Sequence, residues 1–367
     1  MKILFIEPKH YFKNILDDKL VESEDAEFEG YRYYKKESGF FCNYDLVVSI
    51  QYLFGICNVV LFKARQVGIP TVLITDGIID WNNNNQHPKV ILNKNPLFSN
   101  MTAEYLACPG EFESKFFGGH KSFQFLPKRA IPSNMHNNTT IESKVVKNSN
   151  SFVVMITTAN TAYFNDAEKS RLLDLIKLTI DKFNDHENVT IYTRIFDQSL
   201  VADLGEYNLE NVTSNSFEEA CEQADVIITT PSSISLTAML MNKPVAQLIY
   251  RDAPLLLQSG WNIHQSCDFD SMCESILSKD AERMRYQSEM VKLNYNHNTD
   301  FLKQITKLTT ESEKCDNFTP PRDINKYLMQ TLESPYNINL EFGLRRLQRS
   351  LVQKIKFLKS KLLFSKV

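Results

Sequence analysis

The chain has 367 residues, 43% of them hydrophobic and 23% charged, with a formal net charge of -3. That length suffices for two domains with their own cores, and the near-neutral balance excludes a protein that binds nucleic acid over its whole surface. No apolar run approaches the roughly 20 residues of a membrane span, and the seven scattered cysteines fit reduced thiols better than a disulfide framework.

The opening MKILFIEPKH lacks a small-residue cleavage site and reads as a first strand rather than a leader. KILFIE (2–7) and YDLVVSI (44–50) read as buried strands. YLFGICNVVLFKARQVG (52–68) reads as a helix closing at Gly68. IPTVLITDG (69–77) is a strand ending in a turn, and WNNNNQHPK after it has loop chemistry. MTAEYLACPG (101–110) reads as a short strand and turn, GEFESKFFG as a short helix with acids at its start. Residues 133–150 are polar, rich in asparagine and serine, and mark a linker.

The pattern then restarts. SFVVMITT (151–158), NVTIYTR (188–194), DVIITT (225–230) and KPVAQLIY (243–250) are strands. Between them stand an amphipathic helix (166–184), a serine-capped helix SFEEACEQA (216–224) and an apolar helix ISLTAMLMN (234–242). Two sets of strand–helix–strand units imply two facing parallel-sheet domains. The expected division is 1–140, 150–300, and a helical extension over 301–367.

TTPSSISLTAML (229–240) joins a buried strand to an apolar helix through proline and two serines. A helix start leaves four backbone N–H groups unpaired. After the carboxyl end of a parallel strand these face the crevice where ligands bind, and they favour phosphate. Ser232 and Ser233 add hydroxyls there, and Pro231 restricts the backbone while needing no acceptor. Either the serines seat a phosphate or one of them simply caps the helix.

The run DVIITT, PSS, LTAMLM, NKPVA resembles the nucleotide-binding half of glycosyltransferases with the GT-B architecture. More narrowly, the paired serines resemble those of bacterial sialyltransferases and polysialyltransferases. That resemblance implies an inverting glycosyltransferase in which Ser232 and Ser233 hold the phosphate of a nucleotide-sugar, CMP-linked among the options. It also implies two Rossmann-like domains. Sialyltransferases of this kind carry an acidic pair before a glycine, one acid being the general base. Here Thr75 stands at the first acid and only Asp76, before Gly77, matches. Asp76 is therefore the expected base, with Asp80 the second candidate and an ordinary Asp-Gly turn the alternative. Those enzymes also show histidine-proline where this chain has Thr193-Arg194, which leaves UDP-, GDP- and CDP-linked donors open.

Arg194 is either a contact for phosphate or carboxylate or a solvated charge. Thr157, Thr158 and Asn160 follow the first strand of the second domain on the side of the same crevice, where they either touch donor or acceptor or merely cap a loop. Glu218 and Glu219 reach for a ribose hydroxyl or serve only their helix's first turn. His120 follows paired glycines, His264 follows GWN, and Arg251-Asp252 either border the donor sugar or form a surface pair.

No D-x-D motif follows a strand and no His/Asp cluster has metal spacing, so a reaction without metal or other cofactor is expected. The G-x-G-x-x-G of NAD enzymes and the P-loop pattern are both missing. In the tail, Leu344, Leu347, Leu351, Ile355, Leu358 and Leu362 recur at helical spacing among eight lysines and arginines. Such a helix lies on an anionic membrane surface, docks on the protein body, pairs in an oligomer or, as the least favoured alternative, binds nucleic acid. The expected enzyme is peripheral on the cytoplasmic face of the membrane, with an oligosaccharide or lipid-linked glycan of capsule or lipopolysaccharide as acceptor. The alternatives are a polyol-phosphate transferase of similar layout and a non-catalytic protein that binds nucleotide-sugar or glycan.

Overall fold

The computed structural model describes residues 1–50, 55–87, 91, 102–116, 121–136, 151–295, 300–311, 347 and 351. His120, most of the expected linker and most of the basic tail lie outside the described residues.

Two parallel sheets form two Rossmann-like domains. The first has the order β2-β1-β3-β4-β5-β6: Ile3–Phe5 is β1, Ala26–Glu27 β2, Leu46–Ser49 β3, Thr71–Ile74 β4, Tyr105–Cys108 β5 and Lys121–Gln124 β6. Register is continuous across it, with Ile3 opposite Leu46, Val47 opposite Thr71 and Val72 opposite Tyr105. Every residue of β1, β3, β4 and β5 is buried. That is the signature of a parallel sheet covered on both faces, and it explains the unbroken apolar runs. One face carries Leu4, Val47, Leu73 and Leu106, the other Ile3, Val48, Val72 and Tyr105.

The second sheet has the order β11-β10-β9-β7-β8: Phe152–Thr157 is β7, Val189–Arg194 β8, Val226–Thr229 β9, Val245–Leu248 β10 and Trp261–Ile263 β11. The helix Asp166–Asn184 covers one face through Leu172, Leu175, Ile176, Ile180 and Phe183. Its amino end is capped by Asn165, whose side chain accepts from the Glu168 amide at 2.9 Å. On the other face lies the helix Ser233–Leu240, of which Ser235 to Leu240 are all buried. It is apolar all round because the sheet, the segment after β6 and a carboxyl-terminal helix enclose it.

The chain then returns to the first domain. The helix Ala281–Asn294 touches both Ser233–Leu240 and Glu111–Phe116. The helix Phe301–Glu311 places Phe301 and Ile305 in the core of the first sheet, with the Phe301 ring 5.3 Å from that of Phe125. The architecture is GT-B-like, with added carboxyl-terminal helices.

One local expectation fails. WNNNNQ is helical over Trp81–Gln86, not a loop. Asp80 caps it, accepting from the Asn82 amide at 2.9 Å, and Trp81 packs edge-on against Phe116 at 4.9 Å. Cap and packing outweigh the poor helix propensity of asparagine.

Candidate functional site

The carboxyl ends of both sheets open on one cleft of about 480 Å³. The turn after β4 supplies Asp76, Gly77, Ile78 and Asp80; the segment after β6 supplies Arg129. Across from them stand Ala159, Asn160 and Thr161 after β7, Ser216, Phe217 and Glu218 at a helix start, and Pro231, Ser232 and Ser233 after β9. Ligands of open α/β sheets bind at such strand ends.

The two serines divide their work. Ser232 occupies the cap position of its helix with an extended backbone, yet its side chain makes no capping bond. Its hydroxyl oxygen is buried and has no hydrogen-bond partner among the described residues. An unpaired buried hydroxyl costs about 1–3 kcal/mol, a cost that an acceptor or donor in the cleft would remove. Ser233 is instead engaged across the cleft, where its hydroxyl accepts from the Ile78 amide at 3.1 Å. A Cβ on Gly77 would collide with that hydroxyl, so the close approach of the two domains requires glycine here.

Asp76 stands at the mouth, 72% exposed, with the Arg129 guanidinium 3.3 Å away. Asp80 lies deeper. Its carboxylate caps the Trp81–Gln86 helix and meets Arg251 Nη1 at 3.1 Å. Burial pushes the Asp80 pKa up, opposed by the Arg251 charge. Arg251 also reaches Glu168 at 3.2 Å and donates to the Ala162 carbonyl at 2.8 Å, with its guanidinium over the Phe164 and Tyr250 rings. It is 10% exposed and bridges carboxylates of two domains, so it is neither a surface charge nor paired with its neighbour Asp252.

Asp76, Asp80, Glu218, Pro231, Ser232 and Ser233 thus come together around one opening, joined by Asn160. Glu218 accepts the Ser133 amide at 3.0 Å, while Glu219 closes a capping box with Ser216. Thr158 and Arg194 stay out of the lining, as do Thr157, Glu219, Arg251, Asp252 and His264. Thr158 is buried beside Ala159, whose amide donates to Thr230 Oγ1 at 2.8 Å. Arg194 lies behind the lining, donating to the Asn215 carbonyl at 3.1 Å and stacked 4.8 Å from the Phe196 ring. Burial lowers its pKa. His264 sits in an exposed turn, accepting from the Ser266 amide. Arg129, Phe217 and Asn83 line the cleft without having been singled out as contacts. Each belongs to a segment whose sequence reads only as turn or helix start. Among the described residues no group of three or more acidic, histidine or cysteine side chains is arranged for a metal, and no helix is long and apolar enough to cross a membrane.

No protein-family model matches the chain, and no curated protein matches it. Solved structures do. MnaA of S. aureus, in a structure with UDP, is similar over 87% of this chain and 99% of its own, at 12% identity and a TM-score of 0.50. A Listeria monocytogenes protein described as a UDP-N-acetylglucosamine 2-epimerase is similar over 86% and 98%, at 10% identity and a TM-score of 0.50. The wall teichoic acid polymerase TagF is similar over 91% and 90%, at 13% identity and a TM-score of 0.44. The resemblance to sialyltransferases accordingly narrows to the GT-B-like fold, which this chain has in common with nucleotide-sugar epimerases.

Proposed function

We propose that the chain is a nucleotide-sugar-dependent enzyme, an inverting glycosyltransferase that hands a sugar to a surface-glycan acceptor. The observation that carries this reading is the buried, unpartnered hydroxyl of Ser232 at an uncapped helix start, on a residue that lines the cleft together with Asp76, Asp80 and Glu218. The donor phosphate accepts from Ser232 and from the first amides of the helix, at the positive end of its dipole. Pro231 fixes the approach to that seat. Glu218 borders it on the side of Phe217, where a ribose would lie. UDP in the S. aureus neighbour supports a nucleotide in this cleft.

Asp76 is the base in this reading. An acceptor hydroxyl oxygen bonds to the anomeric carbon, its proton goes to the Asp76 carboxylate, and the carbon–oxygen bond to phosphate breaks with its electron pair leaving on the nucleotide. Asp80 is less suited, because Arg251 and the helix cap already occupy its oxygens.

The test follows nucleotide release from UDP-, GDP-, CDP- and CMP-linked sugars with capsule and lipopolysaccharide oligosaccharides as acceptors. One donor should be consumed with acceptor present, and Asp76→Asn should slow release by about 100-fold or more without weakening nucleotide binding. Near-full turnover of Asp76→Asn would remove it from the chemistry. Nucleotide binding with no turnover of any donor would favour the non-catalytic alternative.

A further inference from the structure

Arg129 is the only cation among the described residues that line the cleft, against three acids, Asp76, Asp80 and Glu218. Phosphate entering beside those carboxylates meets repulsion that neutral serines and amides alone must offset. The Arg129 guanidinium lies in the right place to oppose it. A Cβ on Gly77 would sit 3.2 Å from Arg129 Nη2 and would also strike the Ser233 hydroxyl. The guanidinium and the Ser233 hydroxyl therefore border the same point, one residue along from the Ser232 seat and in the same cleft lining.

The backbone beneath Arg129 is pinned. Its amide donates to the Asn14 carbonyl at 2.9 Å, and the next carbonyl, of Ala130, accepts from Thr237 Oγ1 at 3.1 Å. Only the side chain is free to re-aim. Its partner in this structure is Asp76, in a pair whose side chains are 42% and 72% exposed. Exposed pairs of this kind are weak, whereas a guanidinium fork on phosphate in a partly enclosed cleft makes two charge-assisted hydrogen bonds. The weaker pair yields.

From this geometry we infer that Arg129 exchanges partners: it holds Asp76 in the empty cleft and turns to the donor phosphate when nucleotide binds, which releases the Asp76 carboxylate. Donor binding thereby uncovers the carboxylate that the proposed reaction uses as its base. The inference rests on the phosphate seat proposed above but not on the transfer chemistry. It makes Arg129 a phosphate ligand and Asp76 its competitor for that ligand.

A double-mutant cycle read by calorimetric titration of the full chain tests it, with UDP, CDP, GDP and CMP as the probes and the tightest binder used throughout. Arg129→Met should weaken binding by about 10-fold or more. Asp76→Asn should tighten it by about two- to fivefold, and that gain should vanish in the Arg129→Met background. Equal gains in both backgrounds would mean simple repulsion between Asp76 and phosphate, and would overturn the exchange. So would unchanged binding in Arg129→Met while Ser232→Ala weakens it, a result that leaves the seat itself standing. If none of the four nucleotides binds the unmodified chain, the seat falls first and the exchange with it. Circular dichroism of each variant confirms that a loss is not unfolding.

Discussion

Glu7, two residues past β1, has its carboxyl wholly buried, accepting from Ser49 Oγ at 2.6 Å and the Ile50 amide at 3.2 Å. Burial outweighs those bonds and lifts its pKa from 4.5 to about 7. Below about pH 4.5 the carboxyl is protonated folded or unfolded and carries no penalty. As pH rises toward 7 the unfolded chain sheds the proton first, so the folded state loses up to about 3 kcal/mol by pH 8. Glu7→Gln should remove that slope: its stability relative to the unmodified chain, from urea unfolding, should grow between pH 5 and pH 8. A difference that stays constant with pH would show that Glu7 ionises in the fold as it does in water. Nothing in IEPKH announces such a group, because burial of a carboxyl is a tertiary fact. The serine pair is the opposite case. Its place at a strand end was readable from DVIITTPSS, but the split of roles was not, since Ser233 is spent on a turn 155 residues away in sequence. Arg129 was silent for the same reason, as LPKRAI reads as an ordinary connector until the fold brings Gly77 beside it.

Among the elements, the buried strands were legible, and of the four edge strands only β8 was. β3, β4, β5, β7, β9 and β10 coincide with apolar runs because both of their faces are covered. The three strands without a sequence signal, β2, β6 and β11, all stand at sheet edges. Two of these have two or three residues, and β6 buries only Phe123 of its four. The helix Trp81–Gln86 was hidden by asparagine, and its ordering follows from Asp80, which Arg251 holds in turn. That chain of contacts carries an energetic prediction. Arg251 is the shared cation of Asp80 and Glu168, so Arg251→Met leaves the buried Glu168 and the half-buried Asp80 without their cation and should cost about 3 kcal/mol, measured as the shift in urea midpoint. Arg251→Lys should recover part of it. A loss below about 1 kcal/mol would mean that water already screens the bridge.

At the scale of the molecule, two parallel sheets were implied by the repeated strand–helix order, whereas the helical return to the first domain was not. What order alone could not give is how the halves meet. Polar contacts between residues distant in sequence contribute to this, beside those of Ser133 on Glu218 and Thr237 on Ala130. Ser233 takes the Ile78 amide, Arg251 meets Asp80, and buried Glu113 accepts from Tyr295 and Asn294 at 3.1 and 3.4 Å. Burial raises the Glu113 pKa, and the carboxyl tolerates its site because both partners donate to it. In the Ser233, Arg251 and Glu113 contacts the partners lie more than 150 residues apart, so no local pattern foretells them. Together they set the width of the cleft, and through it the distance from the serine edge to Asp76.

The most direct test is a crystal structure of the chain with whichever of CMP, CDP, UDP and GDP it binds most tightly. A phosphate oxygen should lie within about 3.2 Å of Ser232 Oγ, at the start of the Ser233–Leu240 helix, in the cleft that also holds Asp76. A nucleotide bound elsewhere, with Ser232 still unpaired, would contradict the account at its root.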